Sequence, residues 1–252
     1  MKRALALLAL MSLLAAVGFA FDFQPITQDF AGEGPGRMRS FRVANSGSAP
    51  IAVRVRILSR SQRPDGEEIR REVGDEFVLF PSRLVLDPGE SQLLRVQWRG
   101  GPVEVEQAYR VIAEQLPVDF AEDNDEGSNL NILFRYVASA YVVPENVAPD
   151  VQVEGATVVA EAEGPYLDFS LRNAGTGHTI LKDLRLSLSR GGAEGSAGGS
   201  GGAEILTLGP EDLPGLAGTN LLAGATRRAS VALPDDWPTG PVELSVDFDE
   251  TR

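Results

Sequence analysis

The sequence predicts an all-β chain arranged as two consecutive β-sandwich domains behind a cleavable leader. Three observations carry that expectation. Apolar residues recur at a two-residue period and no segment holds a convincing helical period. Clusters of Gly, Pro, Asn, Asp and Ser interrupt these runs about every 8 to 12 residues, the spacing of a sandwich. Pro144 and Pro149 then divide the strand series in two with a short, stiff link. A strand count does not close a sheet, so a barrel stays open as the alternative for the first series.

The leader comes first. Lys2-Arg3, the apolar run Ala4–Val17 and the end Gly18-Phe19-Ala20 have the order of a signal peptide, with cleavage expected after Ala20. The alternative is an uncleaved anchor, but the run is only 14 residues and no stop-transfer charges follow. The expected domains are therefore 21–147 and 148–252, exported and without a membrane anchor after cleavage.

Phe21–Ile26 is expected to be a short edge strand, since Pro25 cannot donate to a central ladder. Met38–Asn45 alternates and stops at Ser46-Gly47-Ser48-Ala49-Pro50. Ile51–Leu58 alternates with Ile51, Val53, Val55 and Ile57 inward and arginines outward. Pro64-Asp65-Gly66 turns the chain. Phe77–Phe80, Arg83–Leu86 and Gln92–Trp98 follow, with Asp87-Pro88-Gly89-Glu90 placed for a type II turn. Ala108–Leu116 leads to an acidic run, Asp119–Gly127, and then to the longest strand candidate, Asn129–Val143. In the second series, Tyr166–Asn173 runs into Ala174-Gly175-Thr176-Gly177 and a strand His178–Leu188. That repeats the strand, Asn, Gly turn, strand order of Phe41–Ile57. Gly191–Gly202 is a small-residue loop, Pro214–Gly224 a further loop, and Ile205–Leu208, Arg228–Leu233 and Val242–Phe248 complete the series.

Composition narrows the function classes. The 252-residue chain has no cysteine and one histidine, so disulfides, Cys–His nucleophiles and multi-ligand zinc sites cannot be built. Its net charge of -13 becomes -15 once Lys2 and Arg3 leave, which argues against nucleic acid. No phosphate loop follows a strand and opens a helix, and no cofactor is expected. His178 follows a turn and is expected at the surface or a strand end. Asp119, Glu122, Asp123, Asp125 and Glu126 could gather around calcium, but they lack EF-hand spacing and read as a solvated loop. No enzyme is expected.

Binding remains, and the stretch Asn129–Val143 is where it is expected. Leu130, Ile132, Phe134 and Tyr136 share one face, while the other carries Leu133 and Val137 beside Asn131 and Arg135. A strand apolar on both faces is either covered twice within its own domain or covered once by a partner. Strand addition to a sheet edge would supply such a partner: main-chain bonds give affinity, and side chains about 6.6–6.8 Å apart set the register.

Four segments in this order resemble the periplasmic pilus-assembly chaperones of the chaperone–usher pathway. They are Phe41–Asn45 with the strand from Ile51, Phe80–Glu90 with Leu94-Arg95-Val96, Glu106–Val111 running to Leu116-Pro117, and Asn129–Pro144. The resemblance implies two immunoglobulin-like sandwiches in a boomerang arrangement, and a periplasmic chaperone that is not an enzyme. It would lend its seventh strand to an incomplete pilus or fimbrial subunit and deliver that subunit to an outer-membrane usher. Leu130, Ile132 and Phe134 match the donor positions, with Tyr136 next on the same face. The family's cleft arginine and lysine, which clamp the subunit's terminal carboxylate, fall at Thr27 and Ser139 here. Its interdomain arginine falls at Val143, while Glu106 matches the glutamate of that network. Arg135 and Arg37 are the nearby basic candidates. These departures point to atypical subunits, spore-coat-like or non-classical fimbrial ones. The alternative is an exported structural or adhesive sandwich protein without chaperone activity.

Overall fold

The computed structural model describes residues 21–117, 132–189 and 205–251. The leader, the acidic run 119–127, Leu130 and the loop 191–202 lie outside them.

Ten strands precede the proline pair: β1 (Phe21–Gln24), β2 (Thr27–Ala31), β3 (Met38–Asn45), β4 (Ile51–Gln62), β5 (Glu68–Glu72), β6 (Phe77–Phe80), β7 (Arg83–Leu86), β8 (Ser91–Trp98), β9 (Gln107–Gln115) and β10 (Arg135–Val143). They form two sheets, ordered β1-β3-β8-β6 and β2-β10-β9-β4-β5, with β7 also pairing β4. This is a sandwich rather than one closed barrel. The segment expected as one edge strand, 21–26, serves both sheets. β1 pairs β3, and after Pro25, which has no N–H for a ladder, β2 pairs β10 in parallel. Alternate side chains of both sheets meet between them. Phe23 stacks on Phe41, and Phe77 contacts Phe30, Trp98 and Tyr109 edge-on with centroids 4.8–5.6 Å apart. Such pairs each add about 0.5–1.5 kcal/mol beyond area burial.

Among the described residues of the expected strand 129–143, pairing begins at Arg135. Its neighbour β9 ends at Gln115; Leu116 faces β4 and donates to Ala52, and Pro117, the next residue to face β10, has no N–H to offer. The ladder therefore closes with the bond from Gln115 N–H to the Phe134 carbonyl, and Ile132–Phe134 continue without a strand assignment.

The second series contains β11 (Val151–Glu161), β12 (Gly164–Asn173), β13 (Thr179–Ser189), β14 (Ile205–Leu208), β15 (Asn220–Leu221), β16 (Thr226–Ala232), β17 (Gly240–Pro241) and β18 (Glu243–Thr251). One sheet is ordered β16-β12-β11-β17, and the other places β14, β15 and β18 against β13. The expected loop 214–224 thus contains one short pairing. Leucines dominate this separate core, among them Leu167, Leu171, Leu181, Leu184, Leu186 and Leu188, all fully buried.

The repeated Asn–Gly turn has a common physical cause. Asn45 Nδ2 donates to the carbonyls of Ala49 and Leu86, and its Oδ1 accepts from Gly47 N–H. Asn173 does the same with Gly177, Leu221 and Gly175, and also accepts from Asp150 N–H. Both asparagines are buried, so each supplies the internal partners that an interior turn needs. Gly175 is required at its turn by close approach: a Cβ there would lie 2.4 Å from the Ala148 carbonyl oxygen and from Asp150 N.

Candidate functional site

The two faces of β10 meet different surroundings. Phe134, Tyr136, Ala138, Ala140 and Val142 point toward the first core. Phe134 and Tyr136 are only partly buried there, and Tyr136 meets Phe21 edge-on at 4.7 Å. Ile132, beyond the ladder, is 58% exposed. On the opposite face Leu133 and Val137 are 43% and 37% exposed. The apolar excess legible on both faces is therefore left uncovered toward the N-terminal end.

The main-chain edge of β10 is also incomplete. β9 covers one side from Arg135 to Val142, but β2 covers the other only from Ser139 to Val143. Among the described residues, no strand pairs that second side between Ile132 and Ala138. Unpaired N–H and C=O groups along a strand are a template for another chain. A guest strand on this edge, running parallel to β10 and collinear with β2, would bring its C-terminal end to Thr27 and Ser139.

Those two residues are direct register partners, and Thr27 is exposed. Neither is basic, yet a guanidinium stands beside them. Arg110, opposite Ser139 on β9, donates from Nη1 to Ser139 Oγ at 2.6 Å. The other edge of Arg110, Nε and Nη2, is held by Glu68 at 3.0 and 2.6 Å. Arg70 also bonds this carboxylate at 2.5 Å, and Arg60 Nε lies 2.7 Å from it in an ion contact too bent for a full hydrogen bond. Three guanidiniums thus surround one carboxylate, leaving the cluster with two formal positive charges in an acidic chain. Burial pushes the Glu68 carboxyl up, but hydrogen bonds from Arg110 and Arg70 and the charges of Arg60 and Arg110 outweigh it and lower it to about 2. The basic candidates named from sequence lie elsewhere. Arg37 bonds the carbonyls of Trp98 and Gly100, and Arg135 pairs in register with Glu114. The signal for Arg110 was absent from the linear sequence because only the β9–β10 register puts it opposite Ser139.

At Glu106 the bonding partner comes from the second sandwich. Val143 pairs with Ala31 and brings no charge. Glu106 instead contacts His178, with Nδ1 and Oε1 2.6 Å apart, and the same oxygen accepts the His178 backbone N–H at 3.1 Å. Both side chains are nearly inaccessible, at 1% and 4% exposure. His178 is at a strand end, as expected, but it is buried rather than at the surface. Its ring stacks on Tyr141 with centroids 4.0 Å apart and planes 10° from parallel. Further bonds cross between the sandwiches. Gln62 bridges the Asn220 carbonyl and Leu222 N–H, and Arg228 N–H donates to the Pro64 carbonyl at the β4–β5 turn.

Residues 33–148 match the family model described as the pili and flagellar-assembly chaperone, PapD N-terminal domain. The match covers most of the first sandwich, and there the chain is similar to the PapD-like chaperones. Solved structures agree over nearly its whole length. The chaperone–tip adhesion subunit complex CsuC–CsuE, from archaic Csu pili of Acinetobacter baumannii, matches with a TM-score of 0.58 and 17% identity over 90% of this chain and 97% of that one. The class 5 fimbriae chaperone CfaA gives 0.55 and 14% over 91% and 100%. The Salmonella enterica SafA pilin–SafB chaperone complex gives 0.50 and 14% over 91% and 96%. At these identities the likeness is one of fold: two immunoglobulin-like sandwiches, as the PapD-like resemblance implied. No curated protein sequence matches.

Proposed function

We propose that this PapD-like chain is a periplasmic, non-catalytic chaperone that captures pilus- or fimbria-like subunits by strand donation from the segment leading into β10. The observation that carries the reading is the open main-chain edge from Ile132 to Ala138, bordered by apolar side chains on both faces. Its supports are the family match and the fold shared with chaperones solved in complex with a pilin and a tip subunit. The signal-like leader supports export, and the junction 144–150 separates the two domains, 21–147 and 148–252. Leu130, Ile132, Phe134 and Tyr136 are the donor side chains, and delivery is to an outer-membrane usher.

Arg110 takes over the anchoring task of the basic residues that Thr27 and Ser139 replace. A guest strand parallel to β10 ends beside Arg110, where two uncompensated positive charges favour a terminal carboxylate through charge-assisted hydrogen bonds.

Ile132 and Phe134 are not equivalent probes. Ile132→Asp alters an exposed side chain and should change stability by less than about 0.5 kcal/mol. Phe134 packs against the first core, so Phe134→Asp should destabilise the free protein as well. The test is affinity purification of tagged mature protein from its native envelope, with mass spectrometry of what accompanies it. Small β-rich subunits should accompany the wild type and be lost with Ile132→Asp, whose circular dichroism stays unchanged. An unaltered partner spectrum for that folded variant would refute strand donation through this segment.

A further inference from the structure

We propose that Tyr141 sets the carboxylate-binding Arg110 in place on behalf of the second sandwich, making capture of a chain end in the first sandwich depend on the second. The inference rests on the reading that a guest strand ends at Arg110 and Ser139.

Tyr141 lies on β10 two residues beyond Ser139, on the same face, and is 2% exposed. Its ring is fixed by the stack on His178, which Glu106 holds through both its ring and its backbone N–H. Its hydroxyl oxygen accepts from Asn220 Nδ2 of the second sandwich at 3.0 Å and from Arg60 Nη1 of the first at 3.2 Å. The two sandwiches thus meet at one oxygen atom.

The path then continues to the anchor. Arg60, with a side chain 6% exposed, places Nε 2.7 Å from Glu68 Oε2. That oxygen also receives Arg110 Nη2 at 2.6 Å. A displacement of Arg60 therefore shifts the carboxylate that orients Arg110, while Nη1 of Arg110 faces Ser139 and the end of the open edge. Arg110 touches the guest. Tyr141, Arg60 and Glu68 act through it as positioning residues. A mere packing role would need only the aromatic ring of Tyr141, because the stack on His178 does not involve the hydroxyl. Nothing in the ring's apolar contacts calls for an oxygen that takes one donor from each sandwich.

Tyr141→Phe separates the two roles, since it keeps the ring and removes only the hydroxyl. The probes are a short peptide of alternating valine and threonine ending in a free carboxylate, and the same peptide ending in a carboxamide, titrated into the full mature chain. Wild type should prefer the carboxylate on the order of tenfold, and Arg110→Ala should abolish the preference. Tyr141→Phe should reduce it to about threefold or less while carboxamide affinity stays unchanged. Asn220→Ala, which also leaves the ring in place, should shift it in the same direction. Ile132→Asp should weaken both peptides alike, identifying the strand contribution. Full preference in both Tyr141→Phe and Asn220→Ala overturns the proposal, as does equal weakening of both peptides in Tyr141→Phe. Equal binding of both peptides by wild type removes the carboxylate site and this inference with it. Binding of neither peptide refutes capture at the open edge itself.

Discussion

Glu68 shows how much one side chain can organise. Its carboxylate gathers Arg60, Arg70 and Arg110 on the outer face of a sheet whose centre is apolar: Leu58 and Ile112, also on that face, are 8% and 0% exposed. Arginine suits this position because its long stem covers apolar surface while its planar fork meets a carboxylate. The Glu68 carboxyl lies at about 2 in the folded protein against an ordinary 4.5, so its contribution is fully present above about pH 4.5 and is lost as pH falls toward 2. Glu68→Gln should cost on the order of 2–3 kcal/mol at pH 7 and flatten the acid limb of stability. Urea midpoints measured from pH 7 down to pH 3 check this. An unchanged acid limb would mean that the arginines are held by other contacts.

Among elements, the two Asn–Gly turns are the clearest repeat. Each buried asparagine closes its own turn and also reaches a carbonyl on a more distant segment, Leu86 or Leu221. Replacing either by alanine leaves buried carbonyls without donors, a loss of about 1–3 kcal/mol each. Asn173→Ala should cost more than Asn45→Ala, because Asn173 additionally accepts from Asp150 in the linker. Paired denaturant titrations decide it, and a cost below about 0.5 kcal/mol for both would remove the clamp account. The repeat was legible because strand, Asn, Gly and strand recur in the sequence. The early end of the β10 ladder was not, since it depends on the register that makes Pro117, which has no N–H, the next residue after Gln115 to face β10.

For the whole molecule, the junction between the sandwiches is tied at several separate places. Thr176 exchanges bonds with Ala148 and accepts Glu106 N–H, Glu106 holds His178, Gln62 bridges to Asn220 and Leu222, and the turn at Pro64 accepts from Arg228. His178→Ala removes the Glu106 contact in a fully buried site, a loss of about 1.5–3 kcal/mol. Faster amide hydrogen exchange across 146–150 and 174–178, with the rest of each sandwich unchanged, is the expected outcome. Protection that stays at the wild-type level would show that the other ties suffice alone.

The sequence by itself determined the class of structure. Period-two patterning, turn residues and Pro25, Pro144 and Pro149 are local constraints, and they placed most strands and the apolar stretch ending in β10. Tertiary structure decided which charges lie beside that stretch. Arg110 opposite Ser139, Arg60 on Tyr141 and His178 on Glu106 are separated by 29, 81 and 72 residues along the chain. Such pairings follow from strand register and from the packing of one sandwich on the other, which no local pattern encodes. That Thr27 and Ser139 carry no charge was visible in the sequence, while the guanidinium standing beside them came into view only with the fold.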